Sequence, residues 1–211
     1  VIYEAAFQFE KLFIKADIVV KRGRTIELIE VKSKSWDPED EEGFFTKTSI
    51  KKGTPELGSK WQPYVLDVAF QTYVLRKCHP ELTVLPFLML ADKSKLASVD
   101  GLNQKFVLEK VTDKETRVIV KAGTKVEDLG EKILTKVDAL EGVKVAYEYV
   151  FDDGLTFTQK INQLSEVLKS NTWQPALISG DCKSCEFRIS DDMKSQGLKS
   201  GFEKCWSHTA S

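Results

Sequence analysis

Two stretches near the start of the chain decide its fold: FIKADIVV at residues 13–20 and IELIEVKS at residues 26–33, joined by a turn at Gly23. Both are rich in β-branched residues, so they are predicted to form paired strands. Side chains alternate between the two faces of a strand, so Glu30 and Lys32 point the same way. An apolar strand rarely carries two charges on one face unless those charges are paired or used.

Asp17, in the first of these stretches, is expected to cross opposite Glu30 and Lys32, so that two carboxylates and one ammonium group converge. Carboxylate oxygens suit Mg²⁺ or Mn²⁺, and such an ion can stabilise a pentacovalent phosphate and supply a deprotonated water. A nearby lysine can orient that water or neutralise phosphate charge. The pattern therefore indicates metal-dependent phosphodiester cleavage. The alternative is a surface hairpin with solvated charges, but strands this apolar are usually central in a sheet.

Composition limits both the fold and the partners. The 211 residues suffice for one sizeable domain and a small appendage, and 42% apolar with 30% charged residues is typical of a soluble globular protein. With 31 basic and 32 acidic residues the net charge is −1, so any polyanion-binding surface must be local. No apolar run approaches the roughly 18 residues of a membrane helix. We therefore expect no membrane partner and a cytoplasmic location.

The chain begins at Val1, without a methionine, inside a predicted strand. We therefore expect it to be a piece of a longer protein, whose other domains are possible partners.

The first third of the chain carries clear strand and helix signals. Strands are predicted at 2–9, 12–20 and 26–32, and a helix from Pro63 to about Lys77. Residues 33–62 between them are polar and without periodicity, which predicts a long mobile loop.

The rest of the chain is predicted from apolar runs and capping signals. Residues 82–90 are predicted to form a buried strand, with Pro86 indicating an edge position or a bulge. Thr112 with Glu115, and Thr124 with Glu127, match capping boxes, and the second predicts a helix over 126–140. Further predictions are a strand at 106–111, a helix end at Gly142, strand or irregular structure at 143–151, and a helix at 158–169 with Ile161, Leu164 and Leu168 inward.

Gln71 and Asp67 lie one turn apart on the first predicted helix and share a face. The Gln71 amide can bond a metal-bound water or a phosphate, although a lone glutamine at the edge of an apolar stripe is ordinarily structural. Asp67 is predicted to be solvated or to act as a cap, and the alternative is that it faces the site. Tyr73, on roughly the opposite side of the helix, is predicted to pack in the core.

The cysteines are clustered towards the end of the chain. Without a secretion signal, disulfides are not expected. Cys182 and Cys185 form a CxxC pair that places two thiolates on one metal ion or cluster, and Cys205 follows. Three cysteines leave such a site one ligand short. Three alternatives stay open: an iron–sulfur cluster, a zinc site completed by Cys78 or His208, and thiols without metal.

Basic and aromatic residues are interleaved in the segment 33–62, a pattern that suits a phosphate backbone and stacked bases. The candidate nucleic-acid contacts are Lys51, Lys52 and Lys60, among the aromatic residues Trp36, Phe44, Phe45 and Trp61. Acidic residues at 37–42 oppose a uniform positive patch, so a solvated loop is the alternative.

Five motifs together carry a family resemblance: FIKADIVV, IELIEVKS, DVAFQTYVL at 67–75, FVLEKVT at 106–112, and GDCKSCEF at 180–187 followed by Cys205-Trp206. Their order resembles the PD-(D/E)XK nuclease superfamily. Within it the chain is similar to the RecB-like branch, which includes iron–sulfur CRISPR-associated exonucleases and the AddB nuclease domain, and looks most like an uncharacterised bacterial family of that branch.

The resemblance implies roles for individual residues. Asp17 and Glu30 would hold the divalent ion with the backbone carbonyl of Val31, Lys32 would be the catalytic lysine, and Gln71 would match the family's glutamine. It also implies a [4Fe-4S] cluster in the full-length protein, held by Cys182, Cys185, Cys205 and a fourth cysteine upstream of this sequence.

Two departures from the family pattern bear on activity. Val74 and Leu75 stand where the family often has a tyrosine, and the upstream helix with a metal-side His or Glu is not in this sequence. We therefore expect that this fragment is less active than the full protein, or inactive.

Together these features predict an α/β fold with a restriction-endonuclease-like core at 1–175 and an extended cysteine-bearing segment at 176–211. The expected function is metal-dependent cleavage of DNA, at ends or single strands, in repair or defence. The rivals are a nucleic-acid-binding module with an inactive site and a protein-interaction domain on the same fold.

Overall fold

Runs of consecutive strands are separated by α-helices, and helices follow the last strand, in the computed structural model, which describes residues 1–112, 116–174 and 178–209. The strands are β1 Ile2–Phe9, β2 Leu12–Arg22, β3 Thr25–Trp36, β4 Thr83–Asp92, β5 Phe106–Lys110, β6 Thr116–Val120 and β7 Leu134–Asp138. The α-helices are α1 Lys47–Lys52, α2 Gln62–Cys78, α3 Leu140–Tyr147, α4 Phe157–Ser170, α5 Asp191–Ser195 and α6 Gly201–Thr209. No described helix is long and apolar enough to cross a lipid bilayer.

The chain divides into two compact units, Val1–Ile161 and Asn162–Ser211. The boundary falls within α4, earlier than the predicted boundary after residue 175.

A five-stranded mixed sheet, in the order β1-β2-β3-β4-β7, forms the centre of the N-terminal unit. β1, β2 and β3 are antiparallel neighbours, β4 lies parallel to β3, and β7 is antiparallel to β4. Parallel neighbours need a long crossover connection, and here that connection contains α2. The prediction of an α/β fold with a central mixed sheet flanked by helices is confirmed. β5 and β6 form a separate two-stranded ribbon.

α2 packs on strands of the sheet and against α3. Its buried apolar residues belong to the same core as the fully buried Leu28 of β3 and Leu88 of β4. Burial of such side chains supplies the main stabilising free energy of a fold. The buried residues of α2 are Val65, Val68, Ala69, Gln71, Thr72, Val74 and Leu75. Two of them, Gln71 and Thr72, are polar. Gln71 reaches the sheet, because its amide bonds Glu30 of β3.

The segment 33–62 is not the polar loop that its composition predicts. β3 continues to Trp36, and Thr46 caps α1 by accepting a hydrogen bond from the Ser49 backbone N–H. Phe44 and Trp61 are buried, and the ring centroids of Trp36, Phe44 and Trp61 lie 5.2 to 5.5 Å apart. The segment contains few large apolar residues, and they are widely spaced among charged ones, so its sequence shows no helical or strand periodicity. In the fold these residues nevertheless meet in one aromatic cluster.

The helix predicted over 126–140 is wrong. Residues Val126–Leu129 form one 3₁₀ turn, β7 follows, and α3 begins at Leu140. Along β7, Thr135 and Val137 are half-buried while Leu134 and Lys136 are exposed, which is the alternation of a strand. Pairing with β4 selects the strand over the predicted helix. The local sequence does not show this, because the partner of a strand lies elsewhere in the chain. The other capping box, at Thr112, extends outside the described residues.

Gly142 lies inside α3 and does not end a helix, and residues 143–147 are helical where strand or irregular structure was predicted. A Cβ atom at Gly142 would lie 3.1 Å from Val65 Cγ1 and 3.3 Å from Phe44 Cδ2. This glycine therefore permits the close approach of α3 to α2.

Pro86 lies in an interior strand, not at an edge, because β4 has β3 on one side and β7 on the other. Its carbonyl accepts a hydrogen bond from the Ala139 N–H at 3.0 Å, directly after β7 ends. At Pro86 the ladder between β4 and β7 has ended, so no ladder hydrogen bond requires a backbone N–H there. The proline, which lacks that N–H, therefore leaves no ladder hydrogen bond unmade.

The helix predicted over 158–169 is confirmed as α4. Ile161 is buried as expected, but Leu164 and Leu168 are 46% and 70% exposed. The segment predicted to be extended at the C-terminus is instead helical, with a 3₁₀ turn at Gly180–Ser184 followed by α5 and α6.

The aromatic cluster gives the first testable prediction. Trp61→Ala should lower the free energy of unfolding by about 3–5 kcal/mol, because it removes a side chain that is 3% exposed. Urea denaturation measures the change. Glu41→Ala, at an exposed position of the same segment, is the control and should stay within about 0.5 kcal/mol of the parent. Equal effects of both changes would mean that the segment is solvated.

Candidate active site

The antiparallel register of β2 and β3 brings Asp17 and Glu30 to opposite positions. The ladder between these strands ends with the pair Ile18 and Ile29, and Asp17 and Glu30 are the next residues on the two strands. The Asp17 carboxylate is close enough for its charge to act on Glu30. The Val31 N–H donates a hydrogen bond of 2.7 Å to Asp17 Oδ2, which fixes the Asp17 carboxylate beside β3. The two carboxylates therefore lie side by side on adjacent strands.

Glu30 is buried, and both of its carboxylate oxygens are hydrogen-bonded. Lys32 Nζ donates to Glu30 Oε1 at 2.7 Å, and Gln71 Nε2 donates to Glu30 Oε2 at 2.7 Å. The first contact follows from the alternation of side chains along β3. The second joins β3 to α2 across 41 positions of sequence.

Asp67 completes this network, contrary to the prediction that it would be solvated or capping. Lys32 Nζ lies 2.5 Å from Asp67 Oδ2, and Gln71 Nε2 lies 3.2 Å from Asp67 Oδ1. The ammonium group of Lys32 therefore bridges one carboxylate on the strand and one on the helix. The signal in the sequence was the one-turn spacing of Asp67 and Gln71, which obliges both to face the same way. Tyr73, by contrast, packs against the core as predicted.

Burial and charge set the protonation of this network. Burial raises the pKa of Glu30, the nearby charge of Asp17 also raises it, and the hydrogen bonds from Lys32 and Gln71 offset part of the effect. Burial alone would lower the pKa of Lys32, but its bonds to Asp67 and Glu30 outweigh burial and raise that pKa above its ordinary value. Lys32 is therefore a cation at neutral pH, suited to donate hydrogen bonds and unsuited to act as a base.

The Gln71 amide leaves one acceptor open. Both neighbours of its nitrogen are carboxylates, which only accept hydrogen bonds, so the nitrogen must face them and Oε1 must face away. Gln71 is 6% exposed, and its Oε1 has no hydrogen-bond partner among the described residues. A buried acceptor without a donor costs free energy, which a bound water or ligand with an available N–H or O–H would recover.

The donors at this place fit a hard divalent ion with few protein ligands. In the described part of the chain, no three His, Cys, Asp or Glu side chains are arranged to hold one metal ion. Asp17 and Glu30 thus offer two carboxylates, beside the backbone of Val31. Mg²⁺ commonly takes one or two carboxylates and keeps several waters, so the donor set suits Mg²⁺ or Mn²⁺.

The three C-terminal cysteines line one cavity of about 530 Å³ in the C-terminal unit, together with Trp173, Phe187 and Trp206. No disulfide joins any of the four cysteines, all of which lie in the described ranges. Cys78 lies in the N-terminal unit, where its thiol donates to the Gln8 carbonyl and burial raises its pKa. A thiol that resists ionisation is a poor metal ligand. His208 packs edge-on against Trp173.

The predicted nucleic-acid contacts lie on and after α1. Lys51 and Lys52 are exposed in its last turn, and Lys60 Nζ lies 3.3 Å from Asp40 Oδ2. Lys51 shares a cavity of about 470 Å³ with the acidic side chains of residues 39–42. The rings of Trp36, Phe44 and Trp61 form the aromatic cluster. Phe44 and Trp61 are buried and therefore do not offer open faces for bases.

No protein-family model, curated protein or solved structure matches this chain. The resemblance to nucleases rests on the sequence motifs quoted above.

The buried carboxylate yields a prediction on pH and stability. The folded chain holds the Glu30 proton more tightly than the unfolded chain, so protonated Glu30 adds to the free energy of unfolding. This contribution is fully present below the ordinary glutamate pKa. It is lost as the pH rises through the raised pKa of Glu30. Glu30→Gln does not titrate, so its free energy of unfolding should increase relative to the parent across that window.

Urea denaturation between about pH 4 and 8, with a chelator present, measures this difference. Lys32 does not interfere, because the stability linked to its raised pKa is lost only in the range where lysine titrates. Glu27→Gln, on the same strand but the opposite face, separates the effect from a general loss of negative charge. Parallel pH profiles for the parent and Glu30→Gln would contradict the prediction.

Proposed function

We propose that the N-terminal unit is a divalent-metal-dependent deoxyribonuclease of the PD-(D/E)XK type, RecB-like branch, that acts on DNA ends or single strands in repair or defence. The observation that carries the proposal is the position of Asp17 opposite Glu30, with Lys32 and Gln71 in the same network. Carboxylates on adjacent strands beside a protonated lysine are the groups that metal-assisted phosphodiester hydrolysis requires.

Asp17 and Glu30 would hold Mg²⁺ or Mn²⁺, with the Val31 carbonyl as a further ligand. When bound, the ion would stabilise charge on the phosphate and lower the pKa of a water. The raised pKa of Glu30 supports this assignment, because a cation beside that carboxylate would relieve the cost of burying its charge.

Lys32 would act as a cation that orients the attacking water and stabilises charge on the phosphate. Asp67 is assigned as a positioning residue, because it can retain the ammonium group when Glu30 turns to the metal. The open Oε1 of Gln71 would accept a hydrogen bond from water at the site, while its nitrogen holds Glu30.

The cysteines of the C-terminal unit are proposed to serve a cofactor separate from the catalytic ion. Cys182, Cys185 and Cys205 line one cavity, although among the described residues no three such side chains are close enough to hold one metal ion. A common ligand would therefore have to draw the three thiols together, and a fourth ligand would come from another part of a longer chain. An iron–sulfur cluster is the first candidate and zinc the second, since three thiolates suit either.

Lys51 and Lys52 are proposed as backbone contacts to DNA, because both are exposed on one helix end. Lys60 is a weaker candidate than its sequence context predicts, since Asp40 pairs with it.

One observation favours the rival function, an inactive module that binds nucleic acid or protein on the same fold. Lys32 bridges Glu30 and Asp67, so each of these two carboxylates already has a cationic partner without any metal. A site that had lost its ion in evolution would keep such an arrangement for stability.

Mn²⁺ binding separates the two functions. Calorimetric titration of the chain with Mn²⁺ should show saturable binding that Asp17→Asn and Glu30→Gln abolish. Glu27→Gln, a carboxylate change on the opposite face of β3, should leave it intact. Absence of saturable binding in the parent would favour the inactive module.

Cleavage of labelled single- and double-stranded DNA with Mn²⁺ tests the chemistry. Lys32→Ala should lower the rate by about 10²- to 10³-fold while Mn²⁺ binding persists, because it removes charge stabilisation only. Lys21→Ala, at an exposed position of β2, is the control. Cleavage at equal rates by the parent and Lys32→Ala would show that any observed activity comes from elsewhere.

A further inference from the structure

β3 and α2 face each other along a row of three side-chain pairs. Strand residues two apart share a face, and so do helix residues three or four apart, so the two series stay in step. The pairs are Glu30 with Gln71 at 2.7 Å, Lys32 with Asp67 at 2.5 Å, and Lys34 Nζ with the Tyr64 ring centroid at 4.9 Å. The first two pairs belong to the candidate active site. The third continues the same row beyond it.

Lys34 differs from Lys32 in that no carboxylate of the described residues pairs with it. Its ammonium group lies 4.9 Å from the ring centroid of Tyr64 and 5.1 Å from that of Trp61. Within the described ranges Lys34 makes no salt bridge, whereas Lys32 makes two. Ring faces hold a cation in place without neutralising it. Lys34 therefore presents a fixed positive charge two residues along β3 from Lys32. No anion among the described residues pairs with it.

Tyr64 is the aromatic residue that combines partial exposure with a close contact to Lys34. Trp61 is buried in the aromatic cluster, whereas Tyr64 is half-buried at the first turn of α2. Its contact with Trp61 is edge-on, at 6.4 Å between ring centroids. A half-exposed ring beside an unneutralised cation is the combination that proteins use to bind single-stranded nucleic acid.

We propose that Lys34 and Tyr64 form a nucleotide subsite next to the active site. Lys34 binds the phosphate adjacent to the one cleaved, and Tyr64 stacks on the accompanying base. Lys34 lies two residues along β3 from Lys32, which places a second cation next to the one assigned to the cleaved phosphate. The inference rests on the proposed function and deepens it, because it specifies a substrate with unstacked bases.

The charges around the subsite are compatible with this ligand. Asp67 pairs with Lys32, which it shares with Glu30, and Asp40 pairs with Lys60, so both of these carboxylates have a cationic partner other than Lys34. Lys60 Nζ itself lies 5.9 Å from the Trp61 ring centroid, so a second cation borders the same cluster.

Fluorescence anisotropy with a labelled single-stranded oligonucleotide, in chelator so that no cleavage occurs, tests the subsite. Lys34→Gln should weaken binding and reduce the slope of log K against log salt by about 0.7, the value for one phosphate contact of a single strand. Tyr64→Leu should weaken binding roughly 5- to 150-fold without changing that slope, and should have little effect on a blunt duplex. Lys21→Gln, on an exposed part of β2, should match the parent.

Tyr64→Phe guards against a purely structural effect, because it keeps the ring and should bind like the parent. Equal losses in Tyr64→Phe and Tyr64→Leu, or parent-like binding and salt slope in folded Lys34→Gln and Tyr64→Leu, would overturn the subsite. Mn²⁺ titration of the same variants should equal that of the parent. A parent that binds Mn²⁺ while the subsite variants bind DNA normally refutes the subsite alone, whereas a parent without Mn²⁺ binding refutes the nuclease proposal.

Discussion

A buried carboxylate on the central strand is the constraint on which the rest of the N-terminal unit depends. Glu30 lies between the sheet and α2, where an unpaired charge would be strongly destabilising. It is tolerated because Lys32 and Gln71 each donate to one of its oxygens. One of these donors lies on the strand itself and the other on the helix. The position of α2 above β3 is therefore fixed by polar contacts as well as by apolar packing.

The aromatic cluster of the 33–62 segment supports that position from the other end. Trp61 immediately precedes α2, and its ring packs between Trp36, at the end of β3, and Phe44. Gly142 lets α3 approach the same place, beside Val65 and Phe44. The start of α2 is thus held by apolar contacts, while Asp67 and Gln71, further along the helix, are held by hydrogen bonds. Both sets of contacts keep the face of α2 in register with β3.

This register accounts for the chemistry that we propose. Lys32 is shared between a strand carboxylate and a helix carboxylate, which keeps it protonated, and Gln71 presents an open acceptor next to Glu30. Asp17 joins from the neighbouring strand through the Val31 N–H. A nucleophilic water, a phosphate and a hard cation each find complementary groups in one small region. Further along β3 and nearer the start of α2, Lys34 and Tyr64 form the next pair of this row. There a lysine contacts an aromatic ring, whereas Lys32 contacts a carboxylate.

The sequence alone determined those features that depend on neighbouring residues. Strand alternation predicts the three N-terminal strands and the shared face of Glu30 and Lys32, and helical spacing predicts α2 and the common side of Asp67 and Gln71. Tertiary structure decided the rest. Asp67 meets Lys32 across 35 positions, Trp61 meets Trp36 and Phe44 from separate segments, and β7 exists because β4 pairs with it. Local sequence encodes the direction in which a side chain points along its own strand or helix. Which groups that side chain contacts depends on how distant segments pack together. Here the packing of α2 on β3 brings two separate local patterns together as one row of paired side chains.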